Sequence, residues 1–295
     1  MKKIYLILPI LAGILFGSSG IFVRTLFQNG INQTTLLFLR FSIAIIPILI
    51  AILLTDKKLF KIELTDLPLF LSCAMCIIGL NLCYNESMNS VPLSLAAVLL
   101  SLAPIYVLVI AYFLFEEKIT YKKLICMALV IFGCILMTGV LETDLSNMPL
   151  FGIISGIGAG LFWAIYLMTS KKSIENGNHT YTILFYSIIF ISIALTPLTD
   201  FSQINSFISI NPIWTIIFLI LHSTFSFALP YVLSTLSLNY MESGISSILL
   251  SGSEPLAALI FGLAIYAEIP TMLMFFGFII AIMAMMILSR KENID

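Results

Sequence analysis

Long apolar stretches alternate with short polar connections along almost the whole chain. Ten of these stretches are long enough to cross a bilayer as helices, since a hydrocarbon core of about 30 Å requires about twenty apolar residues. The predicted spans are residues 4–23, 33–54, 67–87, 91–115, 121–141, 149–169, 180–199, 212–236, 243–267 and 271–289. The pattern predicts an all-α integral membrane protein, whose N-terminal apolar stretch is an uncleaved first span rather than a signal peptide.

The composition supports a membrane protein and argues against several function classes. Hydrophobic residues make up 60% of the 295 residues and charged residues 10%, whereas a soluble domain carries about 25% charged residues. The formal net charge of −1 gives no electrostatic basis for binding nucleic acid. We therefore expect the lipid bilayer and a small-molecule substrate as partners, and no nucleic acid.

Lysine and arginine residues are concentrated on one side of the predicted topology. We name the side of the N-terminus side A and the opposite side side B. Side A holds Lys2, Lys3, Lys57, Lys58, Lys61, Lys118, Lys122, Lys123, Lys171, Lys172, Arg290 and Lys291. Side B holds only Arg24, and Arg40 falls within the second span. Because basic residues favour the cytoplasmic side, we expect both termini in the cytoplasm and the protein in the plasma membrane.

The fourth and ninth spans share one sequence plan. The matching positions are Pro104 and Pro255, Glu117 and Glu268, and Thr120 and Thr271. Each of these pairs is 151 residues apart, whereas 150 residues fits better before the prolines. This offset predicts one extra residue within Gly252–Glu254, and therefore a π-bulge or local unwinding of the ninth span. A chance alignment of Leu- and Ser-rich sequence is the alternative explanation of the offset.

The repeat also predicts the orientation of the two halves. The halves, residues 1–141 and 149–290, contain five spans each, so they have opposite orientations in the membrane. Inverted repeats are typical of secondary transporters, whose substrate sites lie near the midplane where the halves meet. The sequence therefore predicts alternating access to a cavity at the midplane.

These features resemble the EamA-like branch of the drug/metabolite transporter (DMT) superfamily. The similar segments are GILFGSSGIFVR, LLFLRFSIA, SLAAVLLSLAPIYVLVIAYFLFEEKIT and SSILLSGSEPLAALIFGLAIYAEIPT. One departure is Ala284, which stands where the first half has Gly133. The resemblance implies a transporter of small organic metabolites, such as amino acids or related compounds, with export as the commoner direction. A carrier or flippase for nucleotide sugars or lipid-linked sugars, built on the same fold, is the alternative.

Polar residues within the spans are candidates for substrate binding. Ionisable and polar groups are energetically costly inside a membrane, so those that are present there often have a function. The candidates are Ser18, Asn81, Tyr84, Asn85, Trp163, Tyr166, His222, Ser226, Ser247, Ser251 and Glu254. Ser247, Ser251 and Glu254 share one helical face. Glu254 is the best candidate for binding a substrate amine or carrying a coupling proton. Its structural alternative is to satisfy backbone groups that Pro255 leaves free.

Structural alternatives also exist for the aromatic and amide candidates. Asn81, Tyr84 and Asn85 follow one face of the third span. Their side chains suit binding of a polar metabolite and suit hydrogen bonding between helices equally well. Trp163 and Tyr166 either line an apolar cavity or pack between helices, and packing is the more common role.

The remaining ionisable residues are interpreted mainly as structural. His222 and Ser226 lie four residues apart, and a lone histidine near the end of a span is more often packed than functional. Arg40 is interpreted as bonding carbonyl groups near the outer face or extending to the membrane surface. Glu117 and Glu268 end their spans on opposite sides and are interpreted as gate or loop anchors.

The sequence carries no pattern of an enzyme or an ATP-driven pump. It contains no HExxH, GxSxG or GxxxxGK[ST] motif, and its only histidines are His179 and His222. Cys73 and Cys76 form a CxxC without a second pair or a nearby histidine, so we interpret all the cysteines as packing residues. We expect no enzymatic activity, no cofactor and no metal, with protons as a candidate coupling ion.

Overall fold

The computed structural model describes residues 3–143, 148–267 and 269–289, which form helices, turns and no strand. The α-helices are α1 (Ile7–Gln28), α2 (Gln33–Thr55), α3 (Leu67–Ser90), α4 (Leu93–Leu100), α5 (Ala103–Phe115), α6 (Tyr121–Met137), α7 (Leu150–Glu175), α8 (Thr180–Leu195), α9 (Phe201–Ile210), α10 (Pro212–Ser223), α11 (Leu229–Ser237), α12 (Ser243–Tyr266) and α13 (Met272–Ser289). Of the residues considered above, Lys2, Glu268, Arg290 and Lys291 lie outside the described ranges.

Nine helical runs in the described ranges are long and apolar enough to cross a membrane. They match every predicted span except the fifth, which is α6, an apolar helix of 17 residues. The fourth span combines α4 and α5, and the eighth joins α10 to α11 through the π-helical segment Thr224–Ala228. The all-α membrane class is therefore confirmed. The short helix α9, between the seventh and eighth spans, was not predicted.

The π-bulge hypothesis for the ninth span is wrong. Helix α12 continues without interruption through Gly252–Glu254. Pro255 has no N–H group, so it leaves the carbonyl of Ser251 without its helical partner. The Sγ of Cys134 donates to that carbonyl at 3.5 Å. A side chain from a neighbouring helix thus replaces the missing bond, and the helix needs no local unwinding.

The irregularity that accompanies the one-residue offset lies in the fourth span instead. A turn at Ser101 and Leu102 separates α4 from α5. The N–H of Leu102 bonds the carbonyl of Leu99 at 3.3 Å, three residues back rather than four. A tighter turn uses fewer residues for the same rotation. The first copy is therefore locally tightened where the second copy is a regular helix.

Equivalent details at the ends of the repeated spans show that the halves are copies of one fold. Glu116 and Ala267 lie 151 residues apart and end α5 and α12 with the same left-handed backbone, each with φ of 54°. Thr120 and Thr271 both cap the helix that follows. Their hydroxyl oxygens accept from the backbone N–H three residues later, at 3.3 and 3.4 Å. The repeat is thus a repeat of backbone geometry as well as of sequence.

Helices of each half pack closely against helices of the other half. A side chain at Gly13 in α1 would come within 2.7 Å of the Leu250 carbonyl oxygen in α12. The equivalent contact is made by Gly160 of α7. A side chain at Gly160 would come within 3.4 Å of the Leu100 carbonyl oxygen. In addition, α2 packs on α8 and α6 packs on α13, so two spans contact their own counterparts. Small residues permit this close backbone approach in membranes.

The contact between α6 and α13 predicts the effect of enlarging Gly277. A side chain there would meet the Gly133 carbonyl oxygen at 2.6 Å. We expect Gly277→Val to separate the two helices and lower stability by about 1–3 kcal/mol, the usual cost of overpacking. Thermal unfolding of the purified protein in detergent measures the effect. Gly20→Val is the matched control, because nothing lies within 4 Å of a side chain at Gly20. Equal melting temperatures for the two variants would contradict the prediction.

Candidate functional site

A cavity of about 790 Å³ lies between the two halves. Its inner end, at the middle of the spans, is formed by Phe16, Trp163, Tyr231 and Leu250. Towards side B its lining reaches the helix ends at Phe27, Gln33, Met88, Tyr266 and Met274. Within the described ranges, no lining residue comes from the side-A ends of the helices. The cavity is therefore open towards side B and closed towards side A.

Aromatic rings from three spans form the inner end of the cavity. Phe16 packs edge to face on Trp163 and on Tyr231, with ring centroids 5.6 and 5.3 Å apart. Trp163 and Tyr231 also meet edge to face at 5.5 Å. Tyr166 does not line the cavity; it stacks behind Trp163 at 5.3 Å, and its hydroxyl contacts that of Thr235 at 2.7 Å. The structure thus places Trp163 in the wall and Tyr166 in the packing.

The third span contributes a polar stripe to the cavity. Asn81, Tyr84 and Asn85 all line it, as their shared helical face indicated. The amide of Asn81 donates to the carbonyl of Ile77 at 2.8 Å, within its own helix. Glu254 of α12 lines the same cavity as Tyr84. The stripe therefore faces the acidic residue across the seam between the halves.

Helix α12 places two of its three polar candidates in the cavity. Ser251 and Glu254 line it, together with Ala258. Ser247 is buried outside the lining, and its hydroxyl has no hydrogen-bond partner among the described residues. Glu254 forms no ion pair with a described side chain. Because Cys134 satisfies the backbone group that Pro255 leaves free, that task does not fall to Glu254.

Three further candidates, like Tyr166 and Ser247, are buried away from the cavity. The hydroxyl of Ser18 donates to the carbonyl of Leu15 at 2.7 Å, within its own helix. His222 and Ser226 are almost fully buried, and neither side chain has a hydrogen-bond partner among the described residues. The ring of His222 lies 5.5 Å from that of Phe22. The structure thus does not bring these residues together with the cavity-lining candidates.

Several polar residues line the cavity although the candidate set lacks them, among them Arg40, Ser101 and Tyr231. The sequence repeat could have identified two of them, because each is equivalent to a candidate in the other half. Ser101 is the equivalent of Ser251, and Tyr231 is the equivalent of Asn81, each 150 residues away. Arg40 could have been identified from the sequence as well, because a cationic side chain inside a span is itself an indication of function.

Metal binding and redox chemistry have no visible basis in the described ranges. No group of three His, Cys, Asp or Glu side chains is placed there to hold a metal ion. Cys73 and Cys76 are both buried, and the Sγ of Cys73 lies 3.6 Å from the hydroxyl of Ser170. The CxxC residues are therefore found in helix packing, as the sequence indicated.

Glu117 closes the side-A end by joining three spans. Its Oε1 accepts from the Nζ of Lys171 at 2.5 Å and from the backbone N–H of Ser243 at 2.7 Å. Its Oε2 accepts from the N–H of Gly244 at 3.2 Å. Because these N–H groups begin α12, the carboxylate also interacts favourably with the helix dipole. A second ion pair nearby joins Lys123 to Glu242.

The charge of Glu117 is stable in this network. Burial raises the pKa of Glu117, but hydrogen bonds from Lys171 and from the backbone of Ser243 outweigh it and hold the pKa below its ordinary value. A carboxyl group with a lowered pKa stabilises the folded state above its unfolded-state pKa, and this contribution is lost only as the pH falls through the folded-state pKa. Glu117 therefore stays charged at neutral pH.

Equivalent cation–aromatic contacts occur at the two ends of the bundle. On side A, the Nζ of Lys171 lies 4.6 Å from the ring centre of Phe115. On side B, the guanidinium of Arg24 lies 4.1 Å from the ring centre of Tyr266. Phe115 and Tyr266 are equivalent positions 151 residues apart. The same cation–aromatic contact thus occurs on side A in one half and on side B in the other half.

A helical bundle of two inverted halves around a shared cavity defines a multi-pass membrane transporter. The chain belongs to the EamA-like transporter family, whose sequence pattern matches residues 3–139 and 150–290. An uncharacterized transporter of Archaeoglobus fulgidus is 27% identical over 270 residues, which cover 91% of this chain and 90% of the relative. An uncharacterized transporter of Clostridium kluyveri is 24% identical, covering 74% of this chain and 72% of the relative.

Two further similarities extend this comparison. A probable purine permease 4 of Arabidopsis thaliana is 31% identical over 106 residues, which cover 32% of this chain and 28% of the relative. A protein of known crystal structure superposes with a TM-score of 0.79 over 97% of this chain and 96% of its own, at 11% sequence identity. The second similarity establishes a shared fold.

The geometry of the closure predicts unequal effects of removing its two charged partners. Glu117→Leu leaves the Lys171 charge and two N–H groups of α12 without a partner, so we expect a loss of about 3–5 kcal/mol. Lys171→Met should cost less, because Glu117 still caps α12. Unfolding of the purified variants in detergent measures both losses.

A double charge reversal provides the control for this comparison. Glu117→Lys combined with Lys171→Glu keeps an ion pair, but a lysine cannot accept hydrogen bonds from Ser243 and Gly244. We therefore expect the double variant to remain as unstable as Glu117→Leu. Restored stability would show that the ion pair alone matters and would contradict the capping role.

Proposed function

We propose that the protein is a secondary transporter, which moves a small organic metabolite across the plasma membrane by alternating access. The observation that supports this most directly is a single cavity lined by both halves, open towards side B and closed at side A by Glu117. Opening side A and closing side B would expose the same lining residues to the other face. Inverted halves suit such an exchange, since each end is built from equivalent parts.

The sidedness of the proposed transporter follows from its charges. Lys57, Lys58, Lys118, Lys122 and Lys172 all belong to side-A connections or helix ends. The positive-inside rule makes side A cytoplasmic, with both termini there. The open cavity then faces the outside of the cell. Export of an amino acid or a related compound is the direction and the substrate class that the family resemblance implies.

A carrier for nucleotide sugars or lipid-linked sugars is the alternative, and the cavity gives it less support. Phosphate groups are bound by clusters of cationic side chains and backbone N–H groups. The described lining contains only two cationic side chains, Arg24 near its mouth and Arg40 inside the membrane. This supply suits a substrate with one negative group better than a polyanion.

Glu254 is proposed as the residue that couples transport to protons. It lies in the middle of α12, lines the cavity and has no ion-pair partner among the described residues. A carboxyl group in such a place can bind a substrate amine in one step and a proton in another. Alternation between these two occupants would link the two movements.

Transport into proteoliposomes tests the function and the coupling together. The purified protein is assayed with amino acids, nucleobases and nucleotide sugars, with and without an imposed proton gradient. We expect uptake of a small metabolite that increases with the gradient. Nucleobases belong in the panel because the cavity wall is aromatic and one relative is named a purine permease. Uptake of nucleotide sugars alone would favour the alternative.

The variant Glu254→Gln tests the coupling role. We expect it to lose the dependence on the proton gradient while substrate exchange across the membrane continues with weaker substrate affinity, because the neutral amide can neither release a proton nor form an ion pair with an ammonium group. Ser247→Ala is the matched control, since Ser247 lies on α12 outside the cavity. If gradient dependence is unchanged in Glu254→Gln, Glu254 does not couple transport to protons.

A further inference from the structure

We infer that Arg40 binds a carboxylate of the substrate, so that the cavity selects molecules carrying both a carboxylate and an amine. The inference deepens the proposed transport function and rests on it. Arg40 lies seven residues after Gln33 in α2, about 10 Å along the helix from its side-B end. Its side chain lines the cavity. A positive charge is therefore presented to any substrate that enters from side B.

Arg40 forms no direct contact with a negatively charged side chain among the described residues. Among the described residues it has no ion-pair partner, and its buried Nε has no hydrogen-bond partner. Tyr231, which lines the same cavity, carries no negative charge at neutral pH. A guanidinium without a counter-charge is expensive inside a membrane. An anion supplied by the substrate would remove that cost.

The structural interpretation of Arg40 does not account for this environment. Among the described residues, Arg40 donates no hydrogen bond to a carbonyl group, and its buried Nε has no partner. Extension to the membrane surface would take the side chain out of the cavity, which Arg40 lines together with Tyr231. The planar guanidinium instead matches a carboxylate, which it can bind through two parallel hydrogen bonds.

A second, opposite charge lies in the same cavity. Arg40, Tyr231 and Glu254 all line this cavity. Arg40 and Glu254 form no ion pair with each other. The amide side chain of Asn81 lines the cavity as well. A positive and a negative group held apart can bind the carboxylate and the ammonium group of one zwitterion.

The apolar part of the cavity indicates what the zwitterion carries. Phe16, Trp163 and Tyr231 present their rings at its inner end. Such a wall favours an aromatic or apolar substituent, since it removes apolar surface from water. A zwitterionic amino acid with an apolar side chain is therefore the substrate class that the charges and the rings together specify.

A binding experiment with three related probes tests the role of Arg40. L-Phenylalanine carries both charges, phenylethylamine lacks the carboxylate and 3-phenylpropionate lacks the ammonium group. Each is titrated into the purified full-length protein, and the fluorescence of Trp163 reports binding. The chain has two tryptophans, and Trp214 lies outside the cavity lining. Trp214→Phe therefore serves as the background, so that the signal comes from the cavity.

We expect the Trp214→Phe protein to bind phenylalanine more tightly than either analogue. Arg40→Gln should weaken phenylalanine binding about ten-fold or more, as expected for the loss of a hydrogen-bonded charge. It should leave phenylethylamine binding unchanged, which also shows that the variant is folded. Arg40→Lys should restore part of the loss, because it keeps the charge without the two parallel bonds. Ser42→Ala, a substitution in the same helix outside the cavity lining, is the control.

Two outcomes would overturn the inference. One is an equal loss of phenylalanine and phenylethylamine binding in Arg40→Gln, which would show that Arg40 does not act on the carboxylate. The other is the failure of phenylalanine to bind. Transport of an uncharged metabolite or an amine in proteoliposomes would then still support the proposed transporter. Conversely, selective binding without any transport would refute the transporter function while leaving the recognition of the carboxylate intact.

Discussion

The close contact of each glycine-bearing helix with the backbone of the opposite half is the interaction on which the bundle depends. It occurs twice, at Gly13 against the Leu250 carbonyl and at Gly160 against the Leu100 carbonyl. Lipid supplies no hydrophobic force between helices, so close packing of small residues must hold them together. Because each half lends its first span to the other, the cavity forms only where the two halves meet.

The bonding of polar groups separates the closed end of this cavity from its binding region. At side A, Glu117 has partners from Lys171 and from the start of α12, so its charge is compensated by the protein. Around the cavity, Arg40 and Glu254 lack ionic partners among the described residues. Polar groups in a membrane are costly unless they are satisfied. A satisfied network therefore stabilises one conformation, whereas the charges without partners are the ones that we propose to bind a substrate or an ion.

The sequence predicts most of the fold because the bilayer imposes long apolar helices and because the repeat supplies its own alignment. The sequence locates the one-residue offset but does not tell which of the two spans departs from regular helix. Cys134 replaces the hydrogen bond that Pro255 removes, and this contact exists only in the folded bundle. The site is predicted in part. Helical periodicity tells which residues share a face, as Ser251 and Glu254 do, but the rotation of the packed helix decides which face meets the cavity. Ser247 lies outside it for that reason.

The central claim is that one cavity faces each side of the membrane in turn. Labelling of Ser251→Cys by a membrane-impermeant maleimide tests it most directly, in a protein whose five native cysteines are replaced. With the side-A closure intact, we predict labelling from side B only. With Glu117→Gln added, we predict labelling of the same cysteine from side A, because the closure is weakened. Labelling from side B alone in both proteins would contradict alternating access to a shared cavity.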